Sequence, residues 1–225
     1  MATIYAHTND GYVYATGSNF ALIRGAGTGN STSSTGTASA YAIRSDVSTG
    51  RGGGSTYTIT RTFMYFDTSG ISTDVQSATL KVYGYSQNSG DIIAVKATND
   101  IQALTTADFD AITGWSSTSD GSGGGDNESN VTKYSDEIAT WSTSGYNDIT
   151  LTSTALANMR DDNIVYICLM NYDHDLKDIT PTGNNRNGLY YINYTGTSRD
   201  PYIDYTLAPT VLDNSVFFGT NFWDL

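Results

Sequence analysis

The chain has 225 residues and a formal net charge of −12, with 11 Lys and Arg against 23 Asp and Glu. Neutralising a phosphate backbone needs clustered basic side chains, and the few here are scattered, which excludes nucleic acid and disfavours an anionic membrane surface. Charged residues make up only 15% of the chain, whereas 23 glycines and 17 tyrosines accompany Ser/Thr-rich segments, a balance that favours strands and fits one large all-β domain.

Residues 3–6 and 11–16 read as short strands around an Asn9-Asp10-Gly11 turn. Phe20–Arg24 is a further strand candidate, and residues 25–36 form a Gly/Ser/Thr loop without an apolar anchor. Strands over residues 38–44 and Ser55–Asp67 flank a tight turn at residues 50–54. The clearest signal runs from Arg61 to Ser86. Phe63, Tyr65 and Ile71 surround a polar break at Asp67, Thr68, Ser69 and Gly70. Beyond it Ala78, Leu80, Val82 and Gly84 alternate with Thr79, Lys81 and Tyr83. That period of two marks a strand with one apolar and one polar face.

Residues 91–97 read as a strand, and residues 105–112 and 153–160 are each long enough for a short helix. The Gly-rich segment 120–128 is a surface loop by composition. Strands follow at residues 146–151, 164–170, 189–194 and Tyr202–Leu207. Many short strands separated by turn residues predict a sandwich or barrel over residues 1–208. Residues 209–225 form an extension in which Val216, Phe217, Phe218, Phe222 and Trp223 crowd around Gly219. Exposed apolar patches of that density mark interfaces, so the extension is read as a docking segment, with folding back over its own sandwich as the alternative. No apolar run approaches the length that spans a bilayer, and the first residues lack the basic and apolar regions of a signal peptide.

Catalytic chemistry is thin. There is no G-x-S-x-G elbow, and only His7 and His174 offer an imidazole. Cys168 sits inside the apolar run 164–170, where a buried small hydrophobe is the default reading. The expectation is no enzyme and no cofactor. Asp173, Asp175 and Asp178 are closely spaced oxygen donors and candidates for calcium, as are Asp120, Asp126, Asn127 and Glu128 in the Gly-rich loop, against the plainer reading of solvated acidic loops. Tyr and Trp are flat, rigid and amphipathic, which suits them to stacking on sugars. Tyr12, Tyr14, Trp115, Trp141, Tyr190 and Tyr191 are the candidates, with ordinary packing as the alternative for each. Alternation puts Tyr12 and Tyr14 on one face and sends Tyr190 and Tyr191 to opposite faces.

Four blocks appear in order: Asp10-Gly11-Tyr12-Val13, Arg61 to Asp67 (RTFMYFD), Ser77 to Tyr83 (SATLKVY), and Thr195 to Thr206 (TGTSRDPYIDYT). With these the chain resembles the jelly-roll β-sandwich modules of the DNRLRE type and of carbohydrate-binding family 96. Similar modules occur in structural proteins of tailed bacteriophages. Met64 and Tyr65 depart from the aliphatic residues usual in the second block, and the aromatic extension has no counterpart in the modules. The resemblance implies an antiparallel jelly-roll β-sandwich without catalytic residues. It points to a virion structural protein, a head decoration or fibre that meets the major capsid protein, forms a homo-oligomer such as a trimer, and touches surface glycans. A secreted carbohydrate-binding module or adhesin subunit is the alternative, and a polysaccharide-active enzyme the third.

Overall fold

The computed structural model describes residues 1–98, 101–116 and 125–209. The chain is an all-β sandwich. Its strands are β1 (Ala2–Tyr5), β2 (Gly11–Gly17), β3 (Ser31–Ser33), β4 (Ala38–Thr49), β5 (Ser55–Asp67), β6 (Val75–Asn88), β7 (Ile92–Lys96), β8 (Tyr146–Thr150), β9 (Ile164–Asn171), β10 (Arg186–Tyr190) and β11 (Tyr202–Leu207). Among the described residues two short α-helices accompany them, α1 (Phe20–Arg24) and α2 (Ser153–Asp161). All the strand pairs among them are antiparallel.

Hydrogen bonding runs in the order β1-β11-β6-β10-β4-β5-β2-β3, with β8 added to β6, β9 to β5, and β7 to β9. The long strands β5 and β6 change partners along their length. β6 pairs with β11 and β8 up to Tyr83 and with β10 from Gly84 onward. β5 pairs with β4 over Ser55–Thr60 and with β9 from Thr62 to Asp67. One sheet therefore curls into two facing layers. The first is built on β1, β11, β6 and β8, the second on β3, β2, β5, β9 and β7, and β10 and β4 join them.

Alternation divides the second layer between two cores. Met64 and Phe66 of β5, Ile167 and Leu169 of β9, and Ile92 and Ala94 of β7 face the first layer, where they meet Leu80, Val82 and Ile203. Their neighbours Phe63, Tyr65, Cys168, Met170, Ile93 and Val95 point the other way, into a second core with Phe20, Ile23, Leu104, Phe109 and Leu176. Strands buried on both faces read as continuous apolar runs, which accounts for the sequence of β9.

The outer side of the second core is closed by α1, the 3₁₀ turn at Thr106–Asp110 and a π-helical turn at Tyr172–Leu176. A buried charge cluster fastens this cover. Arg61 donates from Nε and Nη2 to the two oxygens of Asp175 at 2.8 and 2.7 Å, and from Nη1 to the Phe109 carbonyl at 2.7 Å. Arg24 donates to the main-chain carbonyls of Asp175 and Leu176 at 2.5 and 3.0 Å. The Arg61 guanidinium lies 4.2 Å from the ring centroids of both Phe109 and Trp115.

Several elements differ from the sequence expectations. Phe20–Arg24 is a helix, because Asn19 caps it by accepting from the Leu22 N–H at 3.1 Å and Phe20 and Ile23 fall on one buried side. The loop 25–36 contains β3, whose Ser31–Ser33 pair with β2. The strand expected at residues 189–194 is β10, which ends at Tyr190. Just beyond, the Ile192 N–H is captured by the Asp10 carboxylate at 3.0 Å and leaves the ladder. Residues 105–112 hold only a 3₁₀ turn, whereas α2 matches the expected helix to one residue.

Candidate functional site

Seven tyrosines meet on the solvent side of the first layer. Tyr83 and Tyr85 project from β6 opposite the core residues Val82 and Gly84, so the alternation that fills the core also puts them outside. Tyr146 comes from β8, where it pairs directly with Tyr83. Tyr202 comes from β11, Tyr5 from β1, Tyr190 from β10, and Tyr194 from the loop after it. The rings form one connected series. Tyr5 and Tyr202 are 5.6 Å apart between centroids, Tyr202 and Tyr146 5.1 Å, Tyr146 and Tyr83 5.2 Å, and Tyr83 and Tyr190 5.7 Å. From Tyr190 the series branches to Tyr85 at 5.2 Å and Tyr194 at 4.8 Å. Most of these contacts are edge-to-face, the arrangement the ring quadrupole favours.

Arg199 sits at the centre of this face. Its guanidinium carbon lies 5.1, 4.5 and 4.9 Å from the centroids of Tyr83, Tyr190 and Tyr194. The cation holds the three rings together and fixes their tilt. Tyr5 and Tyr85, at the two ends, are each 47% exposed, and the rings between them are half-buried. The Tyr83 hydroxyl donates to the Ser144 carbonyl at 2.8 Å and that of Tyr146 to the Asp200 carbonyl at 3.3 Å. Among the described residues the hydroxyls of Tyr5, Tyr85, Tyr190 and Tyr194 carry no hydrogen bond within the chain. Burial between neighbouring rings and near Asp200 pushes the Tyr146 phenol up to about 12, and burial raises Tyr202 as well. Lys81, beside the face, donates to both oxygens of Asp148 at 2.7 Å, which raises the Lys81 ammonium. The result is an aromatic surface on a sheet, with hydroxyls left unbonded within the chain at Tyr5, Tyr85, Tyr190 and Tyr194.

Of the residues expected to contact sugar, only Tyr190 belongs to this surface. Tyr191 is buried and its hydroxyl pairs with Thr62 at 3.0 Å. Trp141 is buried with its indole N–H donating to the Gly188 carbonyl at 3.1 Å, so it is a packing residue. Trp115 stacks on Arg61 and lies 4.8 Å from the Arg24 guanidinium, inside the outer cover. Tyr12 packs against the inter-sheet core beside Tyr191, and Tyr14 is half-buried on the same strand, away from the tyrosine face. The sequence signal for the missed residues was the polar phase of β6, which carries Tyr83 and Tyr85. Nothing in the sequence tied them to Tyr5, Tyr146 or Tyr202.

The calcium candidates Asp173, Asp175 and Asp178 do not form a site together. Asp175 is fully buried with both oxygens on Arg61. Asp178 faces Arg24 at 3.5 Å. Among the described residues no group of three or more His, Cys, Asp or Glu side chains is arranged to hold a metal. His174 interacts through Nδ1 with the Ile179 carbonyl at 2.7 Å, and Cys168 is buried, its thiol pushed far up by desolvation. Asp120 and the docking residues Val216, Phe217, Phe218, Phe222 and Trp223 lie outside the described residues.

Two concavities flank the start of β9. One, of 620 Å³, is lined by Lys96, Asp161, Asp162, Ile164 and Tyr166, and a neighbour of 510 Å³ by His7, Tyr65, Gln102 and Ile164. Asp162 is tied to Lys96 at 3.1 Å and Asp161 to Arg160 at 2.6 Å, and Asp67, which lines the second, accepts from the Ser69 N–H and hydroxyl. A scan against protein-family models finds no match to the chain, and a search of curated proteins finds no similar sequence.

Proposed function

We propose that this chain is a non-enzymatic structural protein of a phage particle, a head decoration or fibre whose β-sandwich presents the tyrosine face to surface glycans. The single observation that carries the glycan reading is the connected face of seven tyrosines held by Arg199 on the first layer. Flat aromatic rings with free hydroxyls recognise a sugar by covering its C–H faces and bonding its rims. The sandwich supplies the rigidity, since the rings stand on paired strands rather than on loops. In this reading the aromatic run at residues 216–223 anchors the sandwich to the major capsid protein or to further copies in a homo-oligomer. The protein then works on the virion. The alternative, a secreted carbohydrate-binding module, uses the same face without the anchor.

Glycan arrays and calorimetric titration with polysaccharides test the recognition step. Removing one stacked ring costs about 1 kcal/mol, so Tyr190→Ala and Tyr85→Ala should each weaken binding about five-fold. Tyr41→Ala, exposed on β4 and without a ring contact to the series, should leave it unchanged. Absence of glycan binding would end the recognition reading, and turnover of a polysaccharide would make the protein an enzyme. The virion assignment is tested separately. The protein should be found in purified particles and should be lost from them when residues 210–225 are deleted.

A further inference from the structure

Asp10 closes the turn between β1 and β2, and Asp200 stands in the loop that leads into β11. Asp10 is fully buried and Asp200 is 4% exposed. The two segments are bound together. The Ala6 N–H donates to the Pro201 carbonyl at 2.9 Å, and the Asn193 side-chain amide to the Thr8 carbonyl at 3.3 Å. Burial raises the Asp10 carboxyl, and the charge of the neighbouring Asp200 adds to the rise. One oxygen of Asp10 is satisfied by the Ile192 N–H, but its Oδ1 and the Oδ1 of Asp200 have no hydrogen-bond partner. Among the described residues no Lys, Arg or His pairs with either carboxylate.

This sets the pair apart from the other buried acids among the described residues: Asp175 holds Arg61, Asp46 holds Arg44 and Arg186, and Asp108 accepts from the Thr105 main chain and hydroxyl. An ionised carboxylate buried without a partner is costly, and two side by side repel each other as well. A chain with net charge −12 has no surplus of basic residues to offset them.

We propose that Asp10 and Asp200 together hold a hard divalent cation of the calcium class, which ties the β1–β2 turn to the entry of β11. The two buried oxygens without a hydrogen-bond partner, on segments that the Ala6–Pro201 bond holds together, supply the anionic ligands. An all-oxygen set without His or Cys selects calcium over zinc, with main-chain carbonyls or water filling the remaining positions. The consequence reaches the tyrosine face. Asp200 follows Arg199 in the chain, and its carbonyl accepts from the Tyr146 hydroxyl, so the ion braces the segment that carries the central cation of that face.

The test uses the full chain after treatment with a chelator, titrated with calcium by calorimetry and followed by thermal unfolding. One calcium ion should bind per chain, Tm should rise, and chelator should reverse the rise. Asp10→Asn and Asp200→Asn should each abolish the calcium response, whereas Asp173→Asn should keep it. No heat and no change in Tm up to about 10 mM calcium, beyond the weakest extracellular sites, would overturn the proposal. That result is readable on the unaltered protein even if the variants fail to fold. A second overturning outcome is neutralisation by protons. Burial pushes the Asp10 carboxyl up to about 8 in the absence of an ion. Stability would then be fully present below the ordinary carboxylate range and lost as pH rises toward 8, with calcium making no difference.

Discussion

Arg61 is the residue at which the outer cover is fastened to the sheet. It lies on β5 at a position that alternation sends to the second core, where a lone guanidinium would be strongly unfavourable. The bidentate contact to Asp175 and the bond to the Phe109 carbonyl satisfy it, and the Phe109 and Trp115 rings cover it. Removing one partner of such a pair leaves the other charge buried and uncompensated, so Asp175→Ala should cost about 3–5 kcal/mol in urea unfolding. A loss below about 1 kcal/mol would mean that water reaches Arg61 and that the cover is loosely held. The sequence showed the Asp173, Asp175 and Asp178 cluster but not its purpose. Spacing along a loop suggested a cation from solution, whereas the cations are arginines 114 and 154 residues away in the chain (Asp175 from Arg61, and Asp178 from Arg24).

At the scale of elements, alternation was the reliable guide. β6 buries Ala78, Leu80, Val82 and Gly84 and turns Thr79, Lys81 and Tyr83 outward, as its sequence implies. Gly84 has a further reason to be glycine. A Cβ there would stand 1.8 Å from the Ser142 carbonyl oxygen and 2.9 Å from the Asn147 side chain. Backbone cannot move aside as a flexible side chain can. Gly84→Ala should therefore destabilise the protein by about 3 kcal/mol or shift the 142–147 segment away from β6, seen as a lowered urea midpoint. An unchanged midpoint would show that this segment packs less closely. Where the sequence reading failed, a cap or a group far off in the chain decided the local structure. Phe20–Arg24 has the apolar content of a strand, but Asn19 caps it as a helix beneath Tyr57 of β5. Past the end of β10 the Tyr191 N–H still reaches the Thr37 carbonyl, and Asp10, far off in the chain, takes the Ile192 N–H.

Among the described residues the molecule is a curled sheet with two cores, and its outer face gathers tyrosines from five strands and a loop. Their packing should be visible in a spectrophotometric titration. Tyr146 is raised to about 12 and Tyr202 is also raised, so part of the phenol signal should remain unionised well above pH 10. Because the folded pKa lies above the unfolded one, the stability linked to Tyr146 is fully present below about pH 10. It is lost as pH rises through the window from there to about 12. Tyr190→Ala should open the neighbouring rings to solvent and shift part of this signal toward lower pH. A single transition near pH 10 for all the tyrosines would mean that the face is open rather than packed. The sequence by itself determined the fold class, the positions of most strands and the face each side chain of β6 takes. Those follow from a local period of two and from turn chemistry within a few residues. Only the tertiary structure decided which aromatic residues reach the surface together and which acids find a basic partner. Tyr5, Tyr83, Tyr146, Tyr190 and Tyr202 are brought side by side by strand order, and strand order is set by which long-range pairings bury the two cores.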